Sequence, residues 1–329
     1  MSTRREIFNK LSETKKLPSP STITLKVIQL CHDETTSVKD IAEVIETDPA
    51  FTAEILKYAN AFFLSTGKQV VSVHKAAVKL GLKTVVNLAL GLSLLANNKN
   101  GKCRTFDYEK FWSISLLQAI AAKKIAVAGT EFDPEEMFIC ALLSHMGQLA
   151  IASIFPKEYG DILKDFRSSP CGELDVPAAT DPISNDKSNQ LRRSLEKEQF
   201  GIDSSELTAE LFIDWGLPTH YALAAGFHDD LNCVELGTGK TQKIAQLISL
   251  SHQFAEICFH ISPTRAQLNV IAKKAQKFEI AEGHFSIIFD TTISEWQELG
   301  EMFEIRTQHC QLYNEILAEK NEICEHSIC

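Results

Sequence analysis

The sequence predicts an all-α protein, and two kinds of observation support that prediction. Apolar residues recur three and four positions apart in most segments, as along Phe51, Ile55, Leu56 and Ala59, which is the spacing of one face of a helix. No segment shows the sustained alternation of apolar and polar residues between hairpin turns that strands require. We therefore expect helices throughout and no strand.

Capping residues indicate where several of these helices begin and end. Ser37 and Asp40 have the spacing of a capping box ahead of an apolar stripe, and Asp107 and Asp133 each precede a further stripe. Gly81 follows the apolar residues of another helix and is expected to end it as a left-handed C′ residue. These local signals predict helix boundaries without any knowledge of tertiary contacts.

Charge and cysteine usage restrict the class of protein. The 329 residues contain 33 Lys plus Arg and 43 Asp plus Glu, which gives a net charge of −10. This balance argues against sequence-independent nucleic-acid binding, which needs a basic face. The nine cysteines are scattered without a Cys-x-x-Cys pair, as expected of a reduced, cytoplasmic protein. The longest apolar run, 85–96, is too short to span a membrane.

The chain is predicted to have three parts. Residues 1–16 form an N-terminal helix or arm, and residues 17–230 form the main module, divided into a bundle at 17–100 and a second bundle at 101–230. A Pro- and Ser-rich stretch at 168–189 predicts a long exposed loop. Residues 231–329 form a helical extension, whose last helix, predicted at 307–325, either docks on its own chain or packs against a partner, including a second copy.

Eight segments in a fixed order resemble the HDOD family, the HD-related output domain of bacterial signalling proteins. They are LPSP (17–20), IAEVIETDPA (41–50), LKYANAF (56–62), VHKAAVKLG (73–81), FW (111–112), ALLSHMG (141–147), FPKEY (155–159) and WGLP (215–218). The resemblance covers roughly residues 17–230. It implies an N-terminal helical bundle followed by a bundle related to HD-type metal phosphohydrolases. It also implies a regulatory module that binds other signalling proteins, such as a kinase, a response regulator or a cyclic-di-GMP enzyme.

The positions that hold metal in an HD phosphohydrolase carry unsuitable residues here. Such an enzyme uses His and Asp side chains to bind divalent ions, which activate a water molecule for attack on phosphorus. In the resemblance these positions fall on Ile114, Ser144, His145 and Ser204. An aliphatic side chain cannot coordinate, and a neutral hydroxyl is a weak ligand. We therefore predict no catalytic residue, no metal at these positions and no cofactor.

Two rival hypotheses depend on other histidines. His145 together with His228 and Asp229 could line a residual pocket, serving either a divergent metal-dependent phosphohydrolase or a sensor of a nucleotide second messenger. Three further polar residues on one helix, His252, Glu256 and His260, have the spacing of metal ligands. Because no second ligand-bearing helix is indicated by the sequence, we interpret that set as a solvated helix face.

Overall fold

A computed structural model describes residues 3–31, 35–62, 70–168, 182–260 and 263–318. All of the regular structure in these ranges is helical, which confirms the predicted all-α fold. The capping boxes at Ser37 and the N-caps at Asp107 and Asp133 form as expected. Gly81 ends a helix with φ of 89° but an extended ψ of 144°, so its positive φ is confirmed and its left-handed conformation is not.

The N-terminal part of the chain consists of short helices packed around Ile41, Ile45 and Ile55. They are α1 Arg4–Glu13, α2 Thr22–Cys31, α3 Val38–Glu46, α4 Pro49–Phe62, α5 Val73–Leu80 and α6 Leu82–Asn98. The predicted arm is α1, which is held on the second bundle by two arginines. Arg4 and Arg5 each place a nitrogen 2.8 Å from a carboxylate oxygen of Glu210.

The second bundle surrounds one central helix. Its helices are α7 Tyr108–Gly129, α8 Pro134–Leu142, α9 Met146–Ile154, α10 Pro156–Ser168, α11 Pro182–Phe200, α12 Ser204–Asp214 and α13 Thr219–Phe227, joined by α14 Lys240–His260 from the predicted extension. Most side chains of α7 from Tyr108 to Ala126 are buried, as expected of a helix that is apolar on all sides. Helices α8 and α14 pack directly on it.

The predicted extension packs on this bundle rather than beyond it. After α14 come α15 Arg265–Ala275, α16 Glu282–Phe303 and α17 Tyr313–Ala318. Helix α16 also contacts α7, and the indole nitrogen of Trp296 donates to the carbonyl oxygen of Ser113 at 3.0 Å. Residues on both sides of position 230 therefore contribute to one core.

Two predicted boundaries are wrong. Residues 182–189, expected to belong to a long loop, form the start of α11, because Pro182 is tolerated in the first turn of a helix. Residues 307–312, expected to be helical, are not, and the last described helix begins at Tyr313. Residues 169–181 and 319–329 lie outside the described part of the chain.

The described end of the chain docks on its own bundle. Cys310, Tyr313 and Ile316 are buried, and the Tyr313 ring lies 5.7 Å from that of Phe289. The backbone nitrogen of Tyr313 donates to a carboxylate oxygen of Asp290 at 2.7 Å. The apolar stripe of this segment is therefore covered within the chain, as far as residue 318.

Two segments have the length and hydropathy of a membrane span. They are Tyr108–Gly129 and Pro134–Ile154. In the most apolar 18-residue stretch of each segment, 72% and 83% of the residues are buried inside the protein. The second is interrupted between α8 and α9. Packing in the core of the bundle accounts for the apolar character of both segments.

Candidate functional site

A cluster of polar side chains lies beside α7. It is formed where α8 ends and α9 begins, at the end of α13, and in the interior of α14. A three-residue break, Leu143 to His145, separates α8 from α9 and places His145 at the start of α9. His228 follows the last residue of α13, with Asp229 next to it. Helix α14 contributes His252 from the other side. We call these four residues the histidine cluster.

The side chains of the histidine cluster are in close contact. One ring nitrogen of His145, one of His228 and one carboxylate oxygen of Asp229 lie within 4.8 Å of one another. The His145 ring centroid is 4.9 Å from that of His228 and 4.4 Å from that of His252. His145 is 8% exposed and His228 1%, so the cluster is almost closed to solvent.

A chain of hydrogen bonds fixes the tautomer of His252. The Ser144 hydroxyl donates to the carbonyl oxygen of Ala141 at 2.9 Å, so its oxygen must accept from the amide nitrogen of Gln118, 3.0 Å away. The Gln118 amide oxygen then faces Nδ1 of His252 at 3.3 Å. An amide oxygen only accepts, which places the proton of His252 on Nδ1.

His228 has one satisfied and one unsatisfied nitrogen. Its Nδ1 donates to the carbonyl oxygen of Ala225 at 2.8 Å, which leaves a lone pair on Nε2. Among the described residues Nε2 has no hydrogen-bond partner, although a carboxylate oxygen of Asp229 lies 3.3 Å from it. Two electron-pair acceptors thus face each other in a buried place.

Burial and mutual repulsion determine the charges of the cluster. Burial lowers the pKa of His145 well below its ordinary 6.5, and the nearby His252 and His228 lower this pKa further. Burial also lowers the pKa of His228, with partial opposition from Asp229. For Asp229, burial alone would raise the pKa, but His228, the other histidines and Arg192 outweigh burial and hold it well below 3.8. These directions favour neutral His145 and His228 and an ionised Asp229 at neutral pH.

A second buried group, which we call the arginine cluster, lies beside the first. Arg192 is 7% exposed and Glu196 fully buried, and Nη1 of Arg192 lies 3.0 Å from Oε1 of Glu196 and 3.1 Å from Oγ of Ser204. Glu196 also accepts from the backbone nitrogen of Ser204 at 2.7 Å and from the Tyr159 hydroxyl at 3.3 Å. Each partner of this ion pair is therefore held by further hydrogen bonds.

The four residues that the resemblance aligns with metal ligands, Ile114, Ser144, His145 and Ser204, offer few free ligand atoms in the structure. Ile114 is an aliphatic residue buried in α7. The hydroxyl of Ser144 is bound to Ala141 and Gln118, and that of Ser204 accepts from a guanidinium group. Of these four residues only His145 is an ordinary metal ligand, and its Nε2 and Nδ1 lie 3.1 Å from Nδ1 of His252 and 3.3 Å from the amide nitrogen of Gln148.

The structure adds residues that sequence reasoning missed. The interpretation of His252 as solvated is wrong, because its side chain is 15% exposed and its Nδ1 lies 3.1 Å from Nε2 of His145. The side chain of His260 lies outside the described part. Gln118 could have been noticed as a polar residue within an apolar stretch of α7. Arg192 and Glu196 had no such signal, because they follow a polar stretch that predicts a surface loop.

These helices form an all-α protein with an HD-type fold. Comparison with known proteins agrees, because residues 17–180 match the HDOD domain. The chain therefore belongs to the HDOD family. The comparison with curated proteins gave no match.

Solved structures with the same fold come from several bacteria. An HDOD domain protein of unknown function from Geobacter sulfurreducens is 18% identical, with a TM-score of 0.66 and coverage of 91% of this chain and 98% of its own. A candidate phosphohydrolase from Shewanella amazonensis SB2B is 22% identical, with a TM-score of 0.64 and coverage of 90% and 97%. A candidate signal transduction protein from Marinobacter aquaeolei VT8 is 21% identical, with a TM-score of 0.62 and coverage of 93% and 62%. At these identities the likeness concerns the fold.

Proposed function

We propose that this chain is a non-hydrolytic regulatory module of bacterial cytoplasmic signalling, which acts through contacts with other signalling proteins. The observation that supports this proposal most strongly is the contact between Arg192 and Ser204, 3.1 Å long. A guanidinium group keeps its charge at every physiological pH. A permanent cation therefore lies against a position where an HD phosphohydrolase would need a metal ligand.

The closed form of the histidine cluster supports the same proposal. Hydrolysis of a phosphate ester requires room for the ester beside an activated water molecule. His145 and His228 are 8% and 1% exposed, and their neighbours are packed helices. The same closure argues against the alternative hypothesis of a nucleotide sensor in this pocket.

The experiment is a hydrolysis assay on the full chain with Mn²⁺, Mg²⁺ or Fe²⁺ and phosphomonoester, phosphodiester and cyclic dinucleotide substrates. We expect no turnover above the uncatalysed rate. Reproducible turnover that is lost in His145→Gln would contradict the proposal and favour the divergent phosphohydrolase.

The interaction part of the proposal has its own test. A groove between the N-terminal bundle and the end of α16 is lined by Lys57, Lys99, Met302 and Glu304 together with apolar residues. We expect capture of a kinase, response regulator or cyclic-di-GMP enzyme from native cells to fall in Lys57→Glu and to persist in Lys39→Glu, whose side chain is 74% exposed on another helix. Deletion of residues 307–329 is a poor test, because it would uncover the core around Phe289.

A further inference from the structure

The histidine cluster contains more electron-pair acceptors than donors. Nδ1 of His228 donates to the carbonyl oxygen of Ala225, so Nε2 carries a lone pair, and this buried atom has no hydrogen-bond partner among the described residues. Its charged neighbour at 3.3 Å is the carboxylate of Asp229, which when ionised also only accepts. Such a pair is unfavourable in a buried place unless a cation or proton lies between its members.

His145 adds a third acceptor. The hydrogen-bond chain from Ala141 through Ser144 and Gln118 places a proton on Nδ1 of His252, which lies 3.1 Å from Nε2 of His145. Nε2 of His145 therefore presents a lone pair on this side. Nδ1 of His145 lies 3.3 Å from the amide nitrogen of Gln148, so the Nδ1 proton of this tautomer requires the Gln148 amide to turn its oxygen toward the ring. If an ion binds the Nε2 lone pair, the Nδ1–H group of His252 can donate its hydrogen bond to the Gln118 oxygen alone.

We propose that His145, His228 and Asp229 bind one divalent transition-metal ion, with zinc as the reference ion. The site does not use Ile114, Ser144 or Ser204, so it differs from the metal pair of an HD phosphohydrolase. Two imidazoles and one carboxylate form a ligand set suited to Zn²⁺ and to Fe²⁺ or Ni²⁺. The proposal goes beyond the regulatory function, since it requires neither hydrolysis nor a partner protein.

The arrangement of the three residues is compatible with such an ion. Their ligand atoms lie within 4.8 Å of one another, whereas ligands about 2.1 Å from a tetrahedral ion are about 3.4 Å apart. Contraction by about 1.4 Å at the widest pair, from 4.8 Å to about 3.4 Å, is needed, which side-chain rotation can supply. The bond from Nδ1 of His228 to a backbone carbonyl is the contact that usually orients a metal-bound imidazole.

The ion would connect two helices that are distant in sequence. His145 begins α9 and His228 ends α13, so a shared ion would fix the spacing of these helix ends. His252 would remain outside the ligand set, because its Nδ1 proton is engaged by Gln118. Metal binding would therefore stabilise the folded chain through mass action.

The test measures Zn²⁺ and Co²⁺ binding to the chelator-treated full chain by calorimetry, visible absorption of bound Co²⁺ and thermal unfolding. We expect one ion per chain and a higher unfolding temperature with Zn²⁺. In Asp229→Asn and in His228→Gln we expect affinity to fall at least tenfold. The matched control is His220→Gln on the same helix, which should change affinity less than twofold.

Two results would overturn the metal site. One is the absence of stoichiometric Zn²⁺ or Co²⁺ binding by the wild-type chain, whose folding is not in question. The other is equal affinity in wild type and in an Asp229→Asn protein that circular dichroism shows to be folded. Turnover of a phosphate ester by the metal-loaded chain would contradict the proposed regulatory function and leave the metal site standing, so the two failures are distinguishable.

Discussion

The arginine cluster and the histidine cluster lie side by side but differ in how their polar atoms are matched. In the arginine cluster, Glu196 receives hydrogen bonds from Arg192, Ser204 and Tyr159, so donors and acceptors are matched. In the histidine cluster, Nε2 of His228 faces the Asp229 carboxylate without a donor. The hydrogen-bonding atoms compared in the arginine cluster are therefore already paired, whereas the histidine cluster has acceptor atoms that could bind an ion or a proton.

This difference predicts that the arginine cluster is the more sensitive to loss of one partner. Removal of the carboxylate in Glu196→Ala leaves the buried guanidinium of Arg192 without a counter-charge. We expect the free energy of unfolding to fall by about 3–5 kcal/mol, as for other broken buried ion pairs. Urea denaturation followed by circular dichroism measures this change.

The control for this prediction is another ion pair with the same spacing. Lys39 and Glu43 are also i,i+4 partners, 3.6 Å apart, with side chains 74% and 63% exposed. Glu43→Ala should change stability by less than about 0.5 kcal/mol, because water solvates both groups. Equal losses in the two variants would show that burial of the arginine cluster has no energetic consequence.

The contact that joins the two clusters should be nearly as sensitive. Gly147, two residues after His145, lies so close to α12 that an added Cβ would be 1.9 Å from the carbonyl oxygen of Ser204. Its backbone nitrogen also donates to Oγ1 of Thr208 at 2.9 Å. Gly147→Ala must push α9 and α12 apart, and we expect a loss of about 3 kcal/mol in urea unfolding.

A second glycine serves as a control, because its replacement by alanine should not reduce stability. Gly283 in α16 has no atom within 4 Å of its added Cβ. Gly283→Ala should therefore leave stability unchanged or raise it by about 0.5–1 kcal/mol, the usual helix preference for alanine. Destabilisation of both variants by the same amount would argue against the close approach of α9 and α12.

A smaller effect is expected where the histidine cluster is held by neutral hydrogen bonds. Ser144→Ala removes the acceptor of the Gln118 amide, which leaves a buried N–H without a partner. We expect a loss of about 1–2 kcal/mol, together with a change in the tautomer of His252 that ¹⁵N NMR of histidine side chains detects. Ser153→Ala is the control, because the Ser153 hydroxyl donates only to the Leu149 carbonyl of its own helix at 2.8 Å. An unchanged tautomer in Ser144→Ala would refute the hydrogen-bond chain.

The sequence predicts the features that are local. Asp107, Asp133 and the Ser37 capping box act within one helical turn, so their positions in the sequence suffice to predict helix starts, as the structure confirms. The eight ordered segments likewise identify the family, because they are read along the chain. Neither prediction requires a contact between distant parts of the chain, because each helix start involves one turn and each segment is recognised from its own residues and its order.

The sequence does not predict what depends on distant contacts. His145 and His252 are 107 positions apart, and only the packing of α14 on α7 brings them together. The polar segment at 182–189 has few apolar residues to indicate a helix, yet α11 forms and carries Arg192 into the core. Residues 307–312 show the converse, since Cys310 is buried there although the segment forms no helix.

The histidine cluster should make stability depend on pH between neutrality and moderate acidity. The folded-state pKa values of His145 and His228 lie below the ordinary 6.5 because of burial, so below pH 6.5 the unfolded chain binds protons that the folded chain does not. The contribution of these histidines to the free energy of unfolding is therefore fully present above this pH and declines as the pH falls toward the lowered pKa values. With chelator present, we expect the free energy of unfolding to fall by less than about 1 kcal/mol per histidine from pH 7 to 6. At lower pH the slope should approach about 1.4 kcal/mol per pH unit per histidine.

His145→Gln should reduce this slope, and His74→Gln, an exposed control, should not. A free energy of unfolding that stays constant or rises on acidification to pH 5.5 would mean that these two histidines are already protonated in the folded chain, which would leave no lone pair for an ion.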